Sequence, residues 1–345
     1  MCVKETGTKY QLWISDFNID GTFTRVHPFI ISHTKTMTRT REDGKEEVFS
    51  ACIKPDDARY LGGNKNSSVN AIKLQGRPRT GISYDKANEF CANRGDWITM
   101  IDYLEYCALQ ALCYIEYANF DNQAALNTNL TSDGFKQGGL GNGVTNLNWE
   151  RWTAFNGNNP IVQTYWTAEH NIGNGSTNGD HYELGNYNAD GSNLSTYPAI
   201  YRGILNFFGD IWTFIRDVVI INKDKDYNYV YILKKGVNHA DVTKDNVNEK
   251  CYLIGCQANT NNFITEFDFQ RGVYFIPNKV GSNKKADYNW KRGNDEQDTD
   301  KAARVLLLGG SANHGSKAGS GDFDSARVRS DSVAGVGFFT TVKLD

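Results

Sequence analysis

The chain has 345 residues, 39% of them hydrophobic and 12% aromatic, with a formal net charge of −3. That is room for one large or two ordinary domains and enough apolar material for a sizeable core. The lack of a basic excess argues against a phosphate-driven nucleic-acid binder, and no apolar run reaches the length of a membrane span.

In chain order, MCVKETGTKY has neither a signal-peptide apolar stretch nor a clear strand start, as expected of the C-terminal part of a longer protein. Residues 10–31 read as two strands around Asp20-Gly21, a hairpin signal. Residues 39–47, RTREDGKEE, form a charged turn, and residues 61–80 a surface loop. Ser83 is the N-cap of a helix over 84–94 that Gly95 ends. Asp102 with Glu105 three positions on makes a capping box for a second helix over 103–119. Its apolar face is Leu104, Cys107, Ala108, Ala111, Leu112 and Ile115. Trp97, Ile98 and Met100 bridge the helices and are expected to be buried. Glu116 reads as a surface carboxylate.

A glycine-rich insertion runs over 127–148. Residues 149–200 set Trp149, Trp152, Tyr165, Trp166, Tyr182, Tyr187 and Tyr197 among many Asn and Gly. That composition suits carbohydrate stacking, and it equally suits a loop layer pinned by its aromatics. Trp212, Phe214, Val218 and Ile220 alternate as in a buried strand. The oxygen-bearing run Asn222, Asp224, Asp226, Asn228 has the alternation of a calcium loop but lacks its turn glycine and distal Glu, and reads as a polar strand face. Residues 262–277 are a strand candidate, and 281–301 a charged loop.

The terminal run 304–342 opens on the apolar strand 304–308, turns at Gly309-Gly310, and closes on a second strand from Val336. Between them lies a polar middle punctuated by glycine, which permits tight turns. A long irregular segment held between strands is usually functional or disordered. These flanks are too apolar for a linker.

The pattern RVLLLGGSANHGSKAGSG…RSDS…VGF resembles the C-terminal segment of C-type-lectin-fold proteins diversified by retroelements, and equally tail-fibre tip domains of bacteriophages. The formylglycine-generating sulfatase-modifying family shares that fold and has a similar ending. MIDYLEYCALQALCYIEYANFDNQAAL resembles the helix that precedes a glycine-rich insertion in the phage domains. In YRGILNFFGDIWTFIRDVVIIN, Arg202, Gly203, Ile204, Asn206, Gly209, Asp210, Ile211 and Trp212 match a signature of the family's central sheet, while Leu205 stands where Glu is common. In the diversified proteins adenine-specific mutagenesis scatters Asn codons. From Ser311 to Gly337 only Lys317 belongs to the residues such codons cannot reach.

The resemblance implies an α+β C-type lectin fold, two helices on a small twisted antiparallel sheet with long loop insertions. It implies one domain over 1–345: N-terminal strands over 1–35, helices over 83–119, an insertion over 120–200, and a ligand-binding, hypervariable segment over 304–342. The expected binding face is Ser311, Asn313, His314, Asp322, Asp324, Ala326, Arg327, Val328, Asp331 and Val333, solvent-exposed above strands at 304–308 and 336–338.

The implied function is that of a phage or prophage tail receptor-binding protein diversified by a retroelement, or a bacterial surface-displayed variable protein. The implied partner is a bacterial cell-surface receptor, protein or glycan. A homotrimer is expected, with no cofactor, no nucleic acid and no membrane insertion. Location would be the virion's tail tip after assembly in a bacterial cytoplasm, or the bacterial surface.

The rival enzyme reading is a sulfatase-modifying-type oxidase, which needs a cysteine pair in the C-terminal half. The 7 cysteines, Cys2, Cys52, Cys91, Cys107, Cys113, Cys251 and Cys256, are odd in number and irregularly spaced, so reduced thiols are expected. None follows Cys256. Cys251 and Cys256 do not match the surroundings of that motif, although they are close enough in sequence to bridge a short turn. The 6 His form no ligand spacing, and no zinc-helix, nucleophile-elbow or phosphate-loop motif occurs.

Overall fold

The computed structural model describes residues 2–6, 9–13, 25–26, 35–40, 46–51, 56–57, 81–93, 98–122, 182–183, 195–196, 207–209, 211–222, 227–282, 287–291, 303–311, 314, 317–333 and 335–342. Before residue 81 and at 182–196 it describes the backbone only. Asn313, Trp97, Asp224, Asp226, Arg202, Gly203, Ile204, Asn206, Asp210 and the 127–148 insertion lie outside the described residues, as do the aromatics expected over 149–200 except Tyr182.

The protein is α+β: three helices against a large, curled, mixed sheet shaped as a half-barrel. In the N-terminal part β1 (Cys2–Thr6) pairs with β2 (Lys9–Trp13) and, on its other edge, with β3 (Arg25–Val26). The chain therefore does have a strand at its start; residues 7–8, and 14–24 with Asp20-Gly21, lie outside the described residues. β4 (Lys35–Thr40) and β5 (Glu46–Ala51) form a hairpin across the expected charged turn. A short β6 (Asp56–Asp57) follows.

Helix α1 spans Tyr84–Ala92, with the Ser83 hydroxyl accepting the Lys86 N–H at 3.3 Å. Strand β7 (Ile98–Met100) leads into α2 (Tyr103–Tyr117). The Asp102 carboxylate accepts the Glu105 N–H at 2.9 Å, and the Glu105 carboxylate accepts the Asp102 N–H at 3.0 Å. Both helix starts follow the capping pattern. Helix α1 stops two residues before the expected 94, and α2 stops where Ala118 turns left-handed at φ 50°.

The expected one-sided face of α2 is corrected. Tyr103, Tyr106, Gln110, Cys113 and Tyr114 are also buried, while Leu104, Leu112 and Ile115 are only partly so. A helix packed by the sheet on one side and by aromatics on others has no single apolar stripe. Met100 is fully buried and Glu116 exposed, as expected.

Two short strands, β8 (Tyr182–Glu183) and β9 (Ser195–Thr196), pair with each other. The main sheet then begins with β10 (Trp212–Asn222) and β11 (Asn228–Leu233). A short α3 (Val247–Lys250) runs into β12 (Cys251–Gln257). The run expected as one strand over 262–277 is a hairpin of β13 (Asn262–Gln270) and β14 (Tyr274–Gly281). Its turn centres on Arg271 and Gly272, both with positive φ, the conformation that matches strand twist in tight hairpins.

The expected charged loop over 281–301 contains β15 (Tyr288–Trp290). The terminal run supplies β16 (Arg304–Leu308), β17 (Phe323–Asp324), β18 (Val336–Gly337) and β19 (Phe339–Val342). Spatial order is β12-β11-β10-β16-β17-β15-β13-β14, with β18 beside β10. The β10–β18 and β15–β17 pairs are parallel. The sheet is thus larger than the small antiparallel one expected, because the presumed loops add strands to it.

Strand β16 is buried along its whole length, Val305 and Leu307 facing the α1 side, Leu306 and Leu308 the α2 side. Each such side chain stabilises the fold by roughly 1.5–3 kcal/mol. Strand β10 corrects the simple alternation. Trp212 and Phe214 join the α1-side core, whereas Val218 and Ile220 join the α2-side core. A register break between Ile215 and Ile220 switches the phase, as a bulge does. The half-buried Arg216 and Asp217 sit in this break, against the start of α2. Arg216 Nη2 lies 3.2 Å from Asp102, and Asp217 accepts the Tyr103 N–H at 2.8 Å.

Candidate ligand-binding site

The terminal segment turns at Gly309 and Gly310, both with positive φ (94° and 68°). It then folds back over the end of the sheet. The structure corrects the expectation of a solvent-facing row. Ser311, Asp322 and Asp324 are buried. His314, Ala326, Arg327, Val328, Asp331 and Val333 are half-buried, and between residues 317 and 333 only Ser330 and Ser332 are exposed.

The physical reason is the glycines. A Cβ on Gly319 would lie 1.7 Å from an Asp287 oxygen, and one on Gly321 2.3 Å from the other. The missing side chains let the backbone press onto the sheet and turn its polar groups inward. Some of those groups then serve the loop itself. Asp324 accepts the Ala326 N–H at 2.7 Å, and Asp331 the Val328 N–H at 3.2 Å. Arg304 Nη1 donates to the Ala326 carbonyl at 2.8 Å.

Beneath the segment lies Asp287, a residue of the run expected as a charged loop. Its carboxylate accepts from the Tyr114 hydroxyl (2.9 Å), the Asn122 amide (3.0 Å) and the Gly321 N–H (2.7 Å). Burial raises its pKa to about 7 against the pull of those donors. Asp322 is fully buried, and neither oxygen has a hydrogen-bond partner among the described residues. The Trp290 indole stands near enough to favour the ionised form but outside hydrogen-bond geometry. Burial, then Asp287 and Asp324, holds Asp322 protonated well above the usual carboxylate range.

At the surface of this layer is an aromatic row. Tyr288 and Trp290 stand 4.5 Å apart by ring centroid, and Trp290 and the His314 ring 5.0 Å. His314 also packs at 5.4 Å on the buried Trp212. The Lys317 ammonium lies 4.6 Å from the Tyr288 ring and 4.7 Å from that of Trp290, within cation–π range. Tyr288, Trp290, His314 and Lys317 are all half-buried, so each keeps an edge open to solvent. Such a row can stack a planar or sugar ring while the ammonium meets its polar substituents.

The row was legible only as Tyr288-Asn289-Trp290, a two-residue aromatic period inside the charged run. The structure brings His314 and Lys317 to it, and sets Arg327, Val328, Asp331 and Val333 further along the segment.

Ser311 and His314 form a local pair. The Ser311 N–H (3.3 Å) and hydroxyl (3.1 Å) both meet His314 Nδ1, so the ring accepts there and its proton sits on Nε2. Burial, then Lys317 and Arg327, lowers the His314 pKa to about 4. A base that weak does not activate a serine at neutral pH.

Among the described residues no group of three His, Cys, Asp or Glu side chains is placed to hold a metal. Asn228, from the oxygen-bearing run, is buried and bonds Gln257 and Ser325. Cys251 and Cys256 are free thiols on the one strand β12. Five residues of extended chain separate them by roughly 16 Å, beyond the reach of a disulfide. Burial raises the Cys251 thiol to about 11, away from the reactive thiolate. The chain matches no protein-family model and no curated protein.

Proposed function

We propose that this chain is a receptor-binding protein on a C-type-lectin-like scaffold, from a phage or prophage tail or a bacterial surface, with its terminal segment diversified by a retroelement. Its ligand is a cell-surface glycan or protein, met by the row Tyr288, Trp290, His314 and Lys317 and by the neighbouring half-buried Arg327, Val328, Asp331 and Val333. It works as a homotrimer, where avidity offsets modest single-site affinity, and without catalysis or cofactor. The observation that supports this reading is the row itself: three adjacent aromatic rings and an ammonium, partly open and backed by a glycine-cradled carboxylate layer. The lectin-like part of the reading is supported by two capped helices joined through β7, with the terminal β19 pairing against it.

Flow cytometry of the labelled protein on a panel of bacterial strains tests it. Lys317→Ala is expected to lower cell binding on the order of tenfold, while unfolding free energy stays within about 0.5 kcal/mol. Unchanged binding to every strain that takes up the parent protein would refute the row as the binding face. Oxygen consumption with a thiol substrate, lost in Cys251→Ser, would favour the oxidase reading.

A further inference from the structure

A cleft lies away from the aromatic row. It sits between α1, β7 and the turn after β11, has a volume of about 910 Å3, and none of the residues of the row lines it. Its volume is that of small-ligand sites. Cys91, Ile98, Leu233 and Val237 give it an apolar side. Its charged lining is Arg216, Arg329 and Asp85, and Asp102, ion-paired behind Arg216, balances the second guanidinium.

The two guanidinium groups are incompletely used. Arg216 bonds Asp102 through Nη2, and its buried Nε has no partner among the described residues. Arg329 pairs through Nη1 with Asp85 at 3.2 Å, and the Asp85 side chain is 52% exposed. An ion pair that open contributes little and yields readily to a better-placed carboxylate.

His239 completes the wall. It is 2% exposed, and its Nε2 lies 3.3 Å from the Arg304 carbonyl oxygen. A carbonyl only accepts, so the proton sits on Nε2 and Nδ1 carries a lone pair. That Nδ1 has no hydrogen-bond partner among the described residues; the carbonyls of His239 and Val218 stand near the ring but outside hydrogen-bond geometry. Burial first, then Arg329, lowers the ring's pKa to about 4, so it is neutral at pH 7. The cleft wall thus combines one openly paired cation, Arg329, with a buried unpartnered Arg216 Nε and a buried neutral acceptor on His239, beside an apolar surface.

We propose that this cleft binds a hydroxylated monocarboxylate of sugar-acid size, its carboxylate bridging Arg329 and Arg216 and a hydroxyl donating to His239. Arg216 keeps its charge partner Asp102, so only Arg329, whose pair with Asp85 is open, has a positive charge to offer, and one such charge suits a single carboxylate better than a doubly charged phosphate. Planar guanidinium matches carboxylate in paired hydrogen bonds. Arg329 belongs to the terminal segment, and its carbonyl accepts the Tyr84 N–H at 3.1 Å. An occupant of the cleft therefore touches both α1 and the segment that carries the binding face.

Calorimetric titration of the full chain with sodium glucuronate, glucose and inorganic phosphate tests this, independently of cell attachment. Saturable glucuronate binding is expected, at least tenfold tighter than glucose or phosphate. Arg329→Gln is expected to weaken it at least tenfold. Asp85→Asn, which frees Arg329, is expected to tighten it severalfold, an effect that loss of folding cannot imitate. No saturable glucuronate binding, equal binding of glucose or phosphate, or either variant leaving the affinity unchanged would overturn the proposal.

Discussion

Two regions of this molecule bury carboxylates, and they hold them differently. At the start of α2, Asp102, Glu105 and Asp217 gather around one guanidinium, that of Arg216, and around the free N–H groups of a helix terminus. Under the terminal segment, Asp287 and Asp322 have no ion pair among the described residues. Asp287 is held by three neutral donors brought from distant parts of the chain, and Asp322 by none. The first region uses a local device, available to any helix that begins with a capping box. The second depends on the glycines that let Gly321 place its N–H on Asp287. What a buried carboxylate requires is donors of the right geometry. A cation is one source of them and a close backbone is another.

The largest expected effect separates the two regions directly. Asp287→Ala strands the Tyr114 hydroxyl, the Asn122 amide and the Gly321 N–H in the interior. It is expected to cost about 4 kcal/mol, at roughly 1–3 kcal/mol per unsatisfied group less what relaxation recovers. Urea denaturation followed by tryptophan fluorescence measures it. A loss below about 1 kcal/mol would mean that Asp287 is not the anchor of the terminal segment.

A smaller effect reads the α2 region through pH. Burial, then the nearby Asp102, raises the Glu105 pKa from 4.5 to about 8. Between these values the folded state holds a proton that the unfolded state has released, so stability falls as pH rises from about 5 to 8. The expected fall is on the order of 2 kcal/mol, discounted for coupling within the cluster. Glu105→Gln is expected to flatten that part of the curve. A profile equally steep in the variant would assign the dependence elsewhere, with Asp287 the next group to test.

The smallest effect has the opposite sign. Asp322→Asn replaces an unpartnered buried acid with a group that cannot ionise. It is expected to leave stability unchanged or raise it by about 1 kcal/mol above pH 7. Strong destabilisation would show that Asp322 has a structural partner of its own.

The sequence by itself determined the local devices. Ser83 and the Asp102–Glu105 box start their helices because each cap closes within three residues, where side chain and backbone meet before any tertiary contact forms. The apolar run of β16 is a strand in any fold that buries both its faces. The hairpin at Arg271-Gly272 was visible only as a glycine, because Arg gives no hint of positive φ.

Tertiary structure alone decided the rest. Asp287 meets Asn122 across 165 residues, and Ser320 meets Asn122 across 198. No local pattern distinguishes an aspartate that will be enclosed by such partners from one in a solvated charged loop. The same holds for the polar segment over 311–335. Its composition is that of an exposed loop, and it turns inward because the glycine backbone fits closely onto a sheet built from strands far away in the chain.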